Sequence, residues 1–158
     1  MSGTLIVIPT FNERENINPL LKSIFSQKIA VHVLILDDNS PDGTKKVVHE
    51  NKKKYKDRLH LINREKKEGL GKAYIEGFKW ALKKKYKKII QMDADLSHPP
   101  EKLIDIFNEL ELYDYVIGSR YINGIRVINW PLNRILLSIG ASWYVNLITR
   151  LPIKDPTA

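Results

Sequence analysis

Short aliphatic runs alternate along this chain with longer stretches of helical periodicity, and that alternation restricts the fold more than any other feature. Leu5–Ile8 and Val33–Leu36 are continuous apolar runs, the pattern of strands buried on both faces of a parallel sheet. Leu59–Ile62, Ile89–Met92 and Tyr115–Ile117 are three further strand candidates. Between them lie helical stripes: Ile17, Leu20, Leu21, Ile24 and Phe25; Ala73, Phe78, Ala81 and Leu82; Leu103, Ile104, Phe107 and Leu110. The predicted fold is α/β, a mostly parallel, doubly wound sheet with helices on both faces and right-handed crossovers. The 158 residues contain no internal repeat, linker or composition shift, so residues 1–158 are expected to form a single domain.

The last apolar stretch is of another kind. Trp130–Leu151 reads as one helix, but only 15 residues separate Arg134 from Arg150, whereas a membrane span needs about 20 apolar ones. It is expected to pack on the sheet or to lie in a membrane interface. Charge is unevenly spread. Residues 45–88 carry 17 Lys+Arg against 5 Asp+Glu, a local charge of +12 inside a chain of net +8. Such a block suits an anionic membrane face or a solvated lysine surface. Its lysine triplets, 52–54 and 83–85, lack the interleaved aromatics that stack bases, so no nucleic-acid partner is expected. Zero cysteines exclude disulfides, thiolate metal sites and cysteine nucleophiles. The N-terminus carries no secretory signal pattern.

Open parallel sheets bind ligands beyond the carboxyl ends of their strands. The first strand runs into Pro9-Thr10-Phe11-Asn12-Glu13, with no GxGxxG, which counts against a nicotinamide or flavin site. The second runs into Asp37-Asp38 and the turn Asp42-Gly43-Thr44, and the fourth into Asp93-Ala94-Asp95. These clusters predict a strongly negative pocket at neighbouring strand ends, where four carboxylates would repel one another unless a cation joined them. In Asp-x-Asp the two side chains point to the same side, and oxygen-only ligands suit Mg²⁺ or Mn²⁺ bridged to a substrate phosphate. The competing reading is that Asp93 or Asp95 merely caps the helix starting near Pro99. Asp38 is placed to accept a hydrogen bond from a ribose or base edge. Gly69-Leu70-Gly71 is either a plain turn or a close approach to a ligand, and His98 reads as a loop residue. Arg120 and Arg134 lie near the apolar helix, and arginine pairs bidentately with phosphate.

Taken together, IPTFNERENI (8–17), LDDNSPDGT (36–44), GLGKAY (69–74), MDADLSHPPE (92–101), GSRY (118–121) and NWPLNR (129–134) resemble the dolichyl-phosphate mannosyltransferase branch of the family 2 glycosyltransferases. The resemblance implies a GT-A fold, a GDP-mannose donor, a divalent cation (Mg²⁺ or Mn²⁺) and a polyprenyl (dolichyl) phosphate acceptor. Carried over by position, Pro9, Phe11, Glu13, Leu36, Asp38, Asp93, Ala94 and Asp95 would bind the nucleotide sugar. Asp93 and Asp95 would hold the metal, with Ser97, which replaces a common glutamine, as a further metal contact. Asp93, Asp95 and Arg120 would be catalytic, and Arg120 and Arg134 would bind the acceptor phosphate. Phe11 stands where tyrosine is usual and keeps the ring without the hydroxyl.

A phosphate acceptor is already an anion at neutral pH, which fits the lack of an obvious catalytic histidine. The alternatives are another family 2 transferase, with a UDP-glucose donor or a glycan acceptor, and a nucleotide- or lipid-phosphate-binding module without turnover. The expected setting is the cytoplasmic face of a membrane. KDPTA (154–158) resembles the start of a family motif that continues further, so the chain is expected to be truncated there, with any membrane anchor beyond it.

Overall fold

The structure, a computed structural model, describes residues 3–119, 131–150, 153, 155 and 156. It separates into two compact units, Met1–Asn108 and Glu109–Ala158. The first unit runs β1 (Thr4–Thr10), α1 (Arg14–Ser26), β2 (Val31–Asp37), α2 (Thr44–Tyr55), β3 (Leu59–Asn63), α3 (Leu70–Lys83) and β4 (Lys88–Gln91). A 3-10 turn at Pro100–Lys102 then leads into α4 (Leu103–Glu109).

The strand order is β3-β2-β1-β4, every pairing parallel, with Ile6 opposite both Val33 and Ile90. The first two crossovers step in one direction, and the third returns past β1 to the other edge. With right-handed crossovers, that reversal puts α3 on the opposite face from α1 and α2. Packing agrees. Leu5, Val7, Leu34 and Leu36 cluster with Ala81 of α3 and with Tyr86. The alternate residues Ile6, Ile8, Val33 and Ile35 are equally inaccessible, as are Ile17, Leu20, Leu21 and Ile24 of α1. The β1–β4 boundary is therefore the topological switch point, and its carboxyl end is the expected ligand crevice.

Three sequence expectations need correction. Tyr115–Ile117 is irregular chain and not a fifth strand, with Tyr115 74% exposed. Leu82 faces solvent, and the buried stripe of α3 is Ala73, Gly77 and Ala81. Only small residues fit there, because a Cβ on Gly77 would lie 2.6 Å from Val7 Cγ1. The two acidic clusters are not on neighbouring strands either, since β1 runs between β2 and β4.

In the second unit, α5 spans Leu132–Thr149 and ends at Arg150, whose positive φ and amide bond to the Asn146 carbonyl close the last turn. The Asn146 side-chain amide donates to the Ile153 carbonyl at 2.8 Å. Leu136, Leu137, Trp143, Tyr144, Leu147 and Ile148 are exposed. Among the described residues no helix is long and apolar enough to cross a membrane.

Candidate functional site

Three loops leave the carboxyl ends of β1, β2 and β4, and each holds one non-glycine residue in the left-handed region: Asn12, Asn39 and Leu96. Asparagine accepts that conformation readily, whereas leucine does so at a cost of about 1–2 kcal/mol. The first two loops are stitched together by successive amides. Those of Asn12, Glu13 and Arg14 donate to Ser40 Oγ, Thr44 Oγ1 and Asp42 Oδ2, each at 3.0 Å. Asp42 also accepts from the Thr44 amide and hydroxyl at 2.9 and 2.6 Å. Desolvation pushes its carboxyl up, but these bonds from Thr44 and Arg14 outweigh it and leave the acid below its usual range. Asp42, read from the sequence as a turn residue, thus ties the starts of α1 and α2 together. The amides of Asn12, Glu13 and Arg14 are thereby committed to the scaffold.

The predicted four-carboxylate pocket does not form, because half of it is neutralised or bonded internally. Asp37 is fully buried and accepts from Thr10 Oγ1 at 3.0 Å, Ser40 Oγ at 2.6 Å and the Ser40 amide at 2.9 Å. Asp38 pairs with the buried guanidinium of Arg64, a residue that the sequence patterns do not single out. Arg64 Nε meets Glu76 at 3.0 Å, its other terminal nitrogen lies 3.5 Å from Glu68, and its amide donates to the Asp37 carbonyl at 2.8 Å. Burial opposes its charge, but bonding to Asp38 and Glu76 holds the guanidinium above even its ordinary value. Its signal in the sequence is a cation directly after the apolar run of β3; that this strand lies beside the one ending at Asp37 is decided by the fold.

Asp93 and Asp95 remain as the accessible acids. Asp93 Oδ1 accepts from Tyr74 Oη at 3.3 Å, and its amide donates to His98 Nδ1 at 3.0 Å. With Nδ1 accepting, a neutral His98 carries its proton on Nε2, which lies 3.9 Å from Asp93 Oδ2. Burial first, and then the Asp93 charge, keep the Tyr74 phenol protonated. Asp95 is exposed and accepts from the Ser97 amide at 2.9 Å. Desolvation raises its acid, but hydrogen bonds from Ser97 and the nearby His98 bring it below the usual range. Neither aspartate caps the 3-10 turn at Pro100.

Both acids thus stand on one loop, with Ser97 bonded to Asp95. No cluster of three His, Cys, Asp or Glu suited to a metal occurs among the described residues. Two hard carboxylates fit an ion such as Mg²⁺, which often takes one or two of them and completes its shell with water and substrate phosphate.

The other expected residues fall as follows. Pro9, Phe11 and Glu13 are half-buried around the end of β1, and Glu13 Oε2 accepts from Asn16 at 2.7 Å. Ala94 is buried. Leu36 has its side chain in the core, so only its backbone can face a ligand. Arg134 is exposed on the first turn of α5. Arg120 lies outside the described residues.

The sequence model described as Glycosyl transferase family 2 matches residues 5–155. Over 98% of its length the chain is 42% identical to a polyprenol monophosphomannose synthase from Mycolicibacterium smegmatis, of which it covers 59%. Over 97% of its length it is 40% identical to a dolichol-phosphate mannosyltransferase from Pyrococcus furiosus, of which it covers 44%. The chain thus spans roughly half the length of these relatives. Among solved structures, a mannosyltransferase from Pyrobaculum calidifontis in complex with GDP-Man and Mn²⁺ superposes with a TM-score of 0.59. That match, at 23% identity, covers 70% of this chain and 33% of the other, and it carries the fold alone.

Proposed function

Because the chain belongs to glycosyl transferase family 2, we propose that it forms the GT-A domain, across residues 1–158, of an enzyme that moves mannose from GDP-mannose to a polyprenyl phosphate. The observation that carries this reading is the accessible Asp93–Asp95 pair at the carboxyl side of the switch point. The naming of the relatives as a polyprenol monophosphomannose synthase and a dolichol-phosphate mannosyltransferase supports the same sugar and acceptor.

In this reading Asp93 and Asp95 would hold Mg²⁺ or Mn²⁺, and the ion would supply charge that stabilises the departing diphosphate. Ser97 keeps Asp95 oriented and acidic. Phe11 walls the nucleoside, flanked by Pro9, Glu13 and the backbone of Leu36. The Arg64-braced carboxylate of Asp38 accepts hydrogen bonds from the nucleoside, and Ala94 lets the donor approach closely. Arg120 and Arg134 bind the acceptor phosphate and hold it in line with the anomeric carbon. A phosphate oxygen then forms the new bond to that carbon as the bond to GDP breaks, the electron pair leaves on the diphosphate, and the configuration inverts. The acceptor is already an anion, so no side chain has to take a proton. The membrane surface, on its cytoplasmic face, presents the acceptor, with the apolar side of α5 toward lipid.

The test is a transfer assay in the full-length protein, with GDP-mannose, Mn²⁺ and a polyprenyl phosphate. Mannose is expected in the organic extract. Arg134→Ala is expected to slow transfer or raise the apparent KM for the lipid while leaving GDP-mannose affinity near wild type. Label moving only from UDP-glucose, or only to a glycan, would favour another family 2 activity. Binding of GDP-mannose without transfer would favour a binding module.

A further inference from the structure

The loop joining β3 to α3, residues 64–69, brings one lysine onto the aromatic wall of the site. The Lys67 ammonium stands 4.0 Å from the centre of the Phe11 ring. Both ends of the loop are fixed. Arg64 is buried at one end, bonded through its amide to Asp37 and through its guanidinium to Asp38, Glu76 and Glu68. At the other end Gly69 adopts a φ of +97°, which strongly favours glycine, directly before α3. The remaining cations around the loop have carboxylate partners: Lys66 and Lys72 both reach Glu68, at 3.5 and 3.2 Å. Among the described residues Lys67 has an aromatic face and no carboxylate.

A cation on a half-buried ring, itself exposed to water as Lys67 is, is held weakly. A nucleobase stacking on that ring would take the same face, and the same ligand brings a diphosphate with two or more negative charges. We propose that Lys67 is a nucleotide-binding residue that changes partner. It rests on Phe11 in the free protein, and when a nucleoside diphosphate binds, the base takes the ring and the ammonium pairs with the diphosphate. The fixed loop ends limit the move to the side chain and its immediate backbone. This inference rests on the donor reading above and adds to it a specific counter-charge for the leaving group, carried by the β3–α3 loop.

The experiment compares GDP and guanosine by titration calorimetry on the wild type, Lys67→Met and Lys67→Arg, with circular dichroism confirming that the exposed substitutions leave the fold intact. Lys67→Met is expected to weaken GDP tenfold or more, to leave guanosine unchanged or tighter because the ring face is vacated, and to flatten the salt dependence of GDP binding. Lys67→Arg keeps most of the GDP affinity. Equal GDP affinity in wild type and Lys67→Met overturns the inference alone, as does a loss of the same factor for GDP and guanosine, which would make the lysine a support for the ring. A wild type that binds no GDP, UDP or guanosine overturns the donor reading and this inference together.

Discussion

Arg64 ties several parts of the candidate site together. It neutralises Asp38, anchors the loop that carries Lys67, and reaches α3 through Glu76. Breaking a buried ion pair from one side leaves an uncompensated charge. Arg64→Met should therefore cost about 3–5 kcal/mol of folding stability, read as a lower urea midpoint at unchanged slope. A midpoint shifted by no more than surface substitutions produce would mean that Asp38 is solvated in the variant. A second residue-scale expectation lies at the other end of the sheet. The Tyr86 hydroxyl sits between His32 Nδ1, at 2.6 Å, and His60 Nε2, at 3.4 Å. Burial, with Arg58 beside His32, and burial, with His32, Lys52 and Lys84 around His60, hold both imidazoles below the usual 6.5. The unfolded chain then binds protons before the folded one does. Stability should fall as pH drops below about 6.5 and level off below the lower folded values. His60→Gln should flatten that part of the pH–stability profile, and an unchanged profile would place the titration elsewhere.

Elements were legible where their patterns were long. The α1 stripe of Ile17, Leu20, Leu21 and Ile24 is buried as its spacing requires, and the runs starting at Leu5 and Val33 form the two central strands. Three residues of apolar sequence at 115–117 carried too little pattern to separate a strand from irregular chain. Leu82 was drawn into the α3 stripe because hydrophobicity alone cannot reveal that the contact face needs small residues. That face predicts a sharp effect. A methyl at Gly77 would meet Val7 Cγ1 at 2.6 Å and Leu36 Cδ1 at 3.2 Å. Gly77→Ala should destabilise by about 1–3 kcal/mol despite the better helix propensity of alanine, measured by thermal or urea unfolding. A neutral or stabilised variant would mean that α3 can lift from the sheet at little cost.

At the scale of the whole molecule, the sequence exposed the acidic strand ends but not their neighbours. Which strand adjoins which is decided by crossovers, so the separation of the two acid clusters by β1 and the pairing of Asp38 with Arg64 became visible only in the fold. The large local charge of residues 45–88, in which Glu68 and Glu76 are already counted, is lowered where Arg64 pairs with Asp38, an acid outside the block. Besides Lys67, the site offers the accessible Asp93–Asp95 pair, which meets a diphosphate only by gathering a cation with the nucleotide. Titration calorimetry of GDP, with and without Mn²⁺, on the wild type and Asp95→Ala tests this most directly. Mn²⁺ should tighten GDP binding to the wild type, and Asp95→Ala should lose most of that tightening. GDP affinities that do not respond to Mn²⁺ in the wild type, or that respond equally in both proteins, would contradict it.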